Sequence, residues 1–282
     1  MQIYTLDTGF FKLDGGAMFG VVPKSLWNKE APADENNLCT WAMRCMLVCE
    51  NGRNILIDTG MGTKQSEKFF GHYHPQGEDT LLNSISKRGL QASDITDVIL
   101  THLHFDHCGG AVTKRDNELV LTFPNATYWS SEKHWQHAIH PNARERASFL
   151  KENILPIQES GQLKFIEEKN NNKTAFGSNI EIQFVHGHTD SMMLPFIHHN
   201  GKTIAYMADL IPSIAHIPLP YIMGYDIYPM TTLTEKESFL DEAVQNETIL
   251  FFEHDPNNEC CTVQKTEKGF RKKDVFKLET IQ

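Results

Sequence analysis

The sequence predicts an α/β protein whose strands form a sheet sandwich, and three observations carry that prediction. First, four apolar, strand-like runs each end at a histidine or an aspartate. Asp97-Val98-Ile99-Leu100 runs toward His102, Ile180 to Val185 toward His188, Thr203 to Ala208 into Asp209, and Thr248 to Phe252 toward His254. Strands that deliver polar groups at a shared end place them along one edge of packed sheets. Second, segments with helical spacing lie between the strand runs. Third, the chain has 282 residues, 40% of them apolar and 22% charged, enough to bury a substantial core in one large domain or two small ones.

Taken in order, a short strand opens the chain, followed by an apolar stretch holding Met18, Phe19, Val21, Val22, Leu26 and Trp27, read as core, lid or pocket wall. Residues 31–38 read as a polar turn. Ala42 to Val48 and Asn54 to Ile57 read as paired strands, because Asn51-Gly52 between them favours a tight hairpin. Asp58 ends the second strand, where its carboxylate can cap the turn or support a metal-binding loop. Residues 61–78 read as a loop. Its His72 and His74 lack a following carboxylate in register, so they are set aside as ligands.

Leu81, Leu82 and Ile85 give one helical stripe closed by Gly89. Leu119 to Phe123 and Thr127 to Trp129 read as short strands. Ser130 or Ser131 can cap a helix bearing His134, Trp135 and His137, expected to be partly exposed. Arg144 to Leu155 reads as a helix ending at Pro156. The stretch Lys169 to Lys173 is the most loop-like of the chain. The segment from Ile211 to Met230, rich in proline, aliphatic and aromatic residues, reads as a buried loop or the lining of an apolar pocket. Thr234-x-x-Glu237 has the form of a capping box that would start a further helix.

The densest chemistry lies in Thr101-His102-Leu103-His104-Phe105-Asp106-His107-Cys108-Gly109-Gly110. Four groups able to bind a metal fall within six positions. Imidazole with carboxylate suits zinc and its neighbours among the transition metals. The two glycines allow a tight turn. Cys108 adjoins this loop and reads as packing or support rather than a ligand.

Other features narrow the class. The formal charge is −10, with no basic face of the kind that binds nucleic acid, and Arg271-Lys272-Lys273 reads as a solvated end. The six cysteines show no zinc-knuckle spacing and read as reduced thiols. No apolar run is long enough to span a bilayer, and the first residues do not read as a secretion signal. The expectation is a cytoplasmic protein with a small-molecule substrate, no nucleic acid or membrane partner, and a homodimer among the assemblies it allows. No Gly-x-Ser-x-Gly elbow is present, so a serine nucleophile is not expected.

His102-x-His104-x-Asp106-His107 resembles the signature of the metallo-β-lactamase superfamily. Gly187-His188-Thr189, Ala208-Asp209 and Glu253-His254-Asp255 resemble its remaining metal-binding elements in the same order, and Asp58-Thr59-Gly60 its N-terminal element. The resemblance runs from about Asp14 to Pro256. It is strongest to the lactonase and organophosphate-hydrolase-like branch, through Gly15 to Gly20 and Phe251 to Pro256. The resemblance implies a four-layer αββα sandwich, two mixed β-sheets packed face to face with helices outside. It implies a single domain over residues 1–282, with two βαβ-type halves meeting near residue 170.

The resemblance further implies two divalent ions, zinc first, with manganese, iron or cobalt also suited. His102, His104 and His188 would hold one ion, Asp106, His107 and His254 the other, and Asp209 would bridge them. A hydroxide held between the ions would attack a small, largely apolar ester, lactone or phosphotriester, and Asp106 would also pass a proton to the leaving group. The competing reading is a mononuclear iron enzyme that oxidises sulfur compounds. His104 and the chain length argue against the flavin-linked members, and too few residues follow His254 for a helical carrier-binding domain. One departure stands out: where lactonases of this superfamily often carry a tyrosine, three residues after the bridging aspartate, this chain has Pro212. Tyr221, Tyr225 and Tyr228 are the candidate replacements. His186 is read as pocket-facing or structural.

Overall fold

The computed structural model describes residues 1–169 and 173–281. The chain first forms β1 (Gln2–Leu6), β2 (Phe10–Asp14), α1 (Gly15–Phe19), α2 (Lys24–Trp27), β3 (Leu38–Ala42), β4 (Cys45–Glu50) and β5 (Arg53–Ile57). Next come α3 (Glu67–Tyr73), α4 (Leu81–Ser86), β6 (Asp97–Ile99), α5 (Phe105–Cys108), β7 (Val112–Arg115), β8 (Glu118–Leu121), β9 (Thr127–Ser130), α6 (Glu132–Ile139), α7 (Lys151–Glu159) and β10 (Leu163–Phe165). The second half gives β11 (Thr174–Ala175), β12 (Ile180–Val185), β13 (Met192–His199), β14 (Lys202–Tyr206), α8 (Pro229–Gln245), β15 (Ile249–Phe251), β16 (Cys260–Thr266) and β17 (Gly269–Phe276).

Two mixed sheets result. The first has the order β1-β4-β5-β6-β9-β10 and the second runs from β11 to β17 in sequence order. Strands β5, β6, β9 and β10 are parallel neighbours, and β14 and β15 form the parallel pair of the second sheet. The Asn51-Gly52 hairpin joins β4 to β5 as expected, with both residues left-handed at φ 51° and 76°, the geometry that matches strand twist.

Strand β4 sorts its side chains between two cores. Met46 and Val48 face a central core shared with Ile180, Ile182, Ile204 and Tyr206 of the second sheet. Cys45 and Leu47 face an outer core covered by Leu81 and Ile85 of α4, Trp135 of α6 and Ile154 and Ile157 of α7. Helix α8 covers the second sheet's far side through Phe239, 6.1 Å from Phe196. The αββα sandwich inferred from the family resemblance is the observed architecture. A third apolar cluster joins β2, β3, α1 and α2 and reaches Met61, Phe105 and Met223.

Several local expectations fail for identifiable reasons. The segment 61–78 is not all loop: Ser66 caps α3 by accepting a hydrogen bond from the Phe69 amide, and Phe69 and Tyr73 pack on Phe105. Helix α7 starts at Lys151, not Arg144, and continues through Pro156, because Ile154 and Ile157 on either side of it are held in the outer core. Helix α8 starts at Pro229, five residues before the supposed capping box. Proline suits that first position, and Thr234 Oγ1 instead bonds back to Met230 O at 3.2 Å. Strands β13, β16 and β17 were not anticipated; the C-terminal segment is a β-hairpin carrying Lys272 and Lys273 exposed. The loop-like stretch Lys169 to Lys173 lies partly outside the described residues. Among the described residues no helix is long and apolar enough to cross a membrane.

Candidate metal centre

Four strand ends converge on one spot between the sheets. Past β6, His102 and His104 precede the single helical turn α5, which carries Asp106 and His107. The turns after β12, β14 and β15 bring His188, Asp209 and His254. Ala208 is left-handed at φ 42° and turns Asp209 inward, a strained conformation for alanine that the surrounding structure must hold.

The donor atoms fall into two groups. His102 Nε2 lies 3.1 Å from His104 Nδ1, which lies 3.2 Å from His188 Nε2. His107 Nε2 and His254 Nε2 are 3.1 Å apart, with Asp106 Oδ2 at 4.0 and 3.9 Å. Asp209 stands between: Oδ2 is 3.1 Å from His188 Nε2 and 3.4 Å from His107 Nε2, and Oδ1 is 3.3 Å from His254 Nε2. All seven side chains named in the sequence are buried and are brought together here.

This arrangement fits metal ions. Ring nitrogens that face each other at about 3 Å repel unless a proton or a cation stands among them, and Asp209 Oδ1 is buried with no hydrogen-bond partner. Burial opposes charge on every ring, but at His188 the nearby Asp209 overrides it and raises the pKa to about 10. Asp209 likewise raises His254, to about 9, against burial. A potential negative enough to hold protons on buried imidazoles also attracts divalent cations. His102 and His104 sit below the ordinary histidine value, because burial dominates and neighbouring rings add to it.

The far nitrogens of the rings are held too. Asp226 Oδ1 lies 2.8 Å from His188 Nδ1, and Ala42 O lies 2.8 Å from His254 Nδ1. Asp58 Oδ2 at 3.1 Å and Glu253 Oε2 at 3.0 Å both face His107 Nδ1. Burial raises Glu253 to about 8, which favours its neutral form beside Asp58. Asp58 also accepts from Thr101 N at 2.7 Å and Thr101 Oγ1 at 2.6 Å, so it supports the ligand loop. Glu145 Oε1 lies 3.4 Å from His104 Nε2. Fixing the remote nitrogen sets the tautomer and orients the donor atom.

The loop itself is pinned from both sides. His134 is fully buried, not partly exposed as expected: its Nε2 accepts from Leu103 N at 2.9 Å and its Nδ1 bonds Asp190 O at 2.7 Å. Gly109 and Gly110 are needed for close approach rather than an unusual turn. A Cβ on them would lie 2.1 Å from Met61 O and 2.2 Å from Thr59 O. Cys108 is buried and donates to Leu103 O at 3.3 Å. His72 and His74 are exposed on and after α3, away from the cluster. His186 is structural, held by Glu168 at 3.0 Å and Asp190 at 3.2 Å.

A cavity of about 310 Å³ opens over the donors, lined by His104, Asp106, His188, Asp209 and His254. Leu13, Met18, Phe105 and Met223 supply apolar wall, and Tyr73, Arg144, Glu145, Ser148 and Tyr225 supply polar groups. Of the apolar N-terminal stretch only Ala17 and Met18 reach it; Phe19 and Trp27 are core, and Val21 is exposed. The segment after Asp209 divides likewise: Ile211 and Ile217 are buried, whereas Met223 to Tyr225 line the cavity. Pro212 contributes its carbonyl, which accepts from His254 N at 3.2 Å. Of the candidate tyrosines, Tyr225 lines the cavity together with Tyr73, which sequence reasoning passed over. Also missed were Glu145, Asp226 and Glu235, whose carboxylate accepts from His186 N at 2.7 Å and Gly187 N at 3.0 Å. No local pattern marks these carboxylates.

The family model described as metallo-beta-lactamase superfamily matches residues 44–254. An N-acyl homoserine lactonase of Bacillus cereus is 28% identical over 135 residues, 44% of this chain and 47% of that protein. The chain thus matches about half the length of such curated relatives. Among solved structures, a probable metal-dependent hydrolase from Staphylococcus aureus has a TM-score of 0.88 at 29% identity, covering 100% of this chain and 98% of the other. AidC, described as a dizinc quorum-quenching lactonase, has a TM-score of 0.79 at 25% identity, covering 98% of this chain and 95% of its own.

Proposed function

The chain belongs to the metallo-β-lactamase superfamily, and we propose that it is a metal-dependent hydrolase that cleaves a small, largely apolar ester or lactone at a two-metal centre. The observation that carries this reading is the division of seven buried donors into two groups that share Asp209 beneath an apolar-walled cavity. His102, His104 and His188 would hold one ion, and Asp106, His107 and His254 the other. Nitrogen and oxygen donors in this mixture suit zinc, in keeping with the description of AidC as dizinc. The second donor group favours this reading over a mononuclear iron dioxygenase acting on sulfur compounds.

When bound, two divalent ions would supply a Lewis acid for the substrate oxygen and a water acidified toward neutral pH. The protein's own groups do the rest. Leu13, Met18, Phe105 and Met223 would bury the acyl portion and exclude water around the reacting carbon. Asp106 reaches the cavity floor and is placed to carry a proton to the leaving oxygen. Tyr225 and Tyr73 hold hydroxyls in the same cavity, where Pro212 can offer none, and either can donate to the substrate's carbonyl oxygen. The central core common to both sheets supports one domain over residues 1–282.

The test is to compare the protein with Asp209→Ala for bound metal, counted per chain, and for turnover of lactone, aryl ester and aryl phosphotriester panels. Loss of metal together with turnover is expected. Full metal and undiminished hydrolysis in the variant would refute the bridging role. One iron per chain with oxygen uptake would favour the sulfur-compound dioxygenase instead.

A further inference from the structure

The cavity's polar lining is lopsided. Its carboxylates are already engaged: Asp106 and Asp209 face the clustered histidines. Glu145 accepts at 2.6 Å from each of Thr189 Oγ1, Asn142 Nδ2 and His137 Nε2, so it has little left to offer a ligand. The donors are the reverse. Among the described residues the Arg144 guanidinium bonds only the backbone carbonyl of Gly224 and pairs with no carboxylate, although the chain carries a net −10. The hydroxyls of Tyr73, Ser148 and Tyr225 line the same cavity and have no acceptor among the described residues.

Arg144 is also well placed to read a ligand. Its neighbour Glu145 is anchored by the three bonds above, which fixes the backbone that carries it. Its contact to Gly224 reaches across the cavity rim to the segment whose amide, Gly224 N, donates to Ala17 O at 2.7 Å. Cation and hydroxyl donors thus stand around an apolar chamber, with the metal-binding groups at its floor. A guanidinium with spare N–H groups matches a carboxylate in a two-point pair, and Arg144 is the one lysine or arginine among the residues lining this cavity.

Building on the hydrolase reading, we propose that the substrate is an ester or lactone bearing a second, carboxylate group, and that Arg144 is the residue that selects it. The acyl chain lies along Met18 and Met223, its scissile end over the metal-binding groups and its carboxylate on Arg144. The reaction is ordinary hydrolysis: water adds to the acyl carbon, the C–O bond to the alcohol breaks, and the alcohol leaves with a proton.

The experiment uses the zinc-loaded protein and monophenyl esters of succinic, glutaric, adipic and pimelic acids. Each is paired with the phenyl ester of the monocarboxylic acid of equal length. At one chain length kcat/KM for the carboxylated ester should exceed its neutral partner by about tenfold or more, the scale of a charge-assisted pair. The ratio should shrink as salt rises. Arg144→Met should collapse that ratio toward one and raise the inhibition constant of the free dicarboxylate about tenfold. Arg144→Lys, which keeps the charge but loses the planar fork, should retain part of the ratio. A neutral ester preferred at every length, or a ratio that survives Arg144→Met, overturns the assignment. Hydrolysis of the neutral set alone leaves the hydrolase reading standing, whereas no hydrolysis of either set or of lactones overturns both.

Discussion

Asp226→Asn isolates the electrostatic backing of one metal position. Asp226 is buried, and its Oδ1 meets His188 Nδ1 at 2.8 Å. Asparagine can keep that acceptor, so the ring orientation survives and only the negative charge is lost. Support of this kind changes metal affinity by about 10–100-fold, roughly 1.4–2.7 kcal/mol. His188 belongs to the group with His102 and His104, while His254 leans on the neutral carbonyl of Ala42 and His107 on Asp58 and Glu253. The loss should therefore fall on one of two ions. Competition with a chromophoric chelator, titrating zinc into metal-free protein, reads both affinities. One zinc should weaken at least tenfold while the other changes by less than about threefold. Equal weakening of both, or unchanged binding of both, would refute the claim that these carboxylates tune the positions separately.

Other outcomes rest on the same geometry. Gly110→Ala places a Cβ 2.2 Å from Thr59 O, so it should cost roughly 2–3 kcal/mol, as overpacking does, and lower metal content, seen by denaturant melts and metal analysis. Lys236 is buried against the carbonyls of Pro218 and Tyr221, both at 2.9 Å, and burial lowers its pKa to about 7. Between that value and its ordinary 10.5 the unfolded chain binds the extra proton. Stability from this group is therefore lost as pH falls through the window and rises toward alkaline pH by at most about 1.4 kcal/mol per unit. Lys236→Met should flatten that rise in melts taken between pH 7 and 10. Removing metal with a chelator should lower the melting temperature, since each ion held only by the folded state contributes about 4 kcal/mol at a thousandfold excess over its Kd.

The legible and illegible parts of the sequence differ in kind. The candidate ligands at 102, 104, 188, 209 and 254 could be picked out because each combines an apolar run with a polar end, and both signals are local. The hairpin at Asn51-Gly52 was readable for a similar reason: the conformational preference of two residues decides the structure there. Glu145, Asp226 and Glu235 carry no such mark. Their importance comes from a partner dozens of positions away, supplied only when the sheets pack. Pro156 misled because tertiary burial overrode a local rule, and Thr234 because the helix already starts at Pro229. The β16–β17 hairpin hid because its exposed lysines mask the alternation of the buried face.

The donors come from opposite ends of the chain. His102, His104, Asp106 and His107 belong to the portion that builds the first sheet, whereas His188, Asp209 and His254 hang from the second. A nascent chain paused after β10 owns a partial set, with two imidazoles on one side, an imidazole and a carboxylate on the other, and nothing to join them. Tight cation capture would then await the last strands, so bound ions would act as a rivet driven once both plates are in place. Nicking the backbone between the sheets should thus matter little to a loaded molecule and a great deal to an empty one.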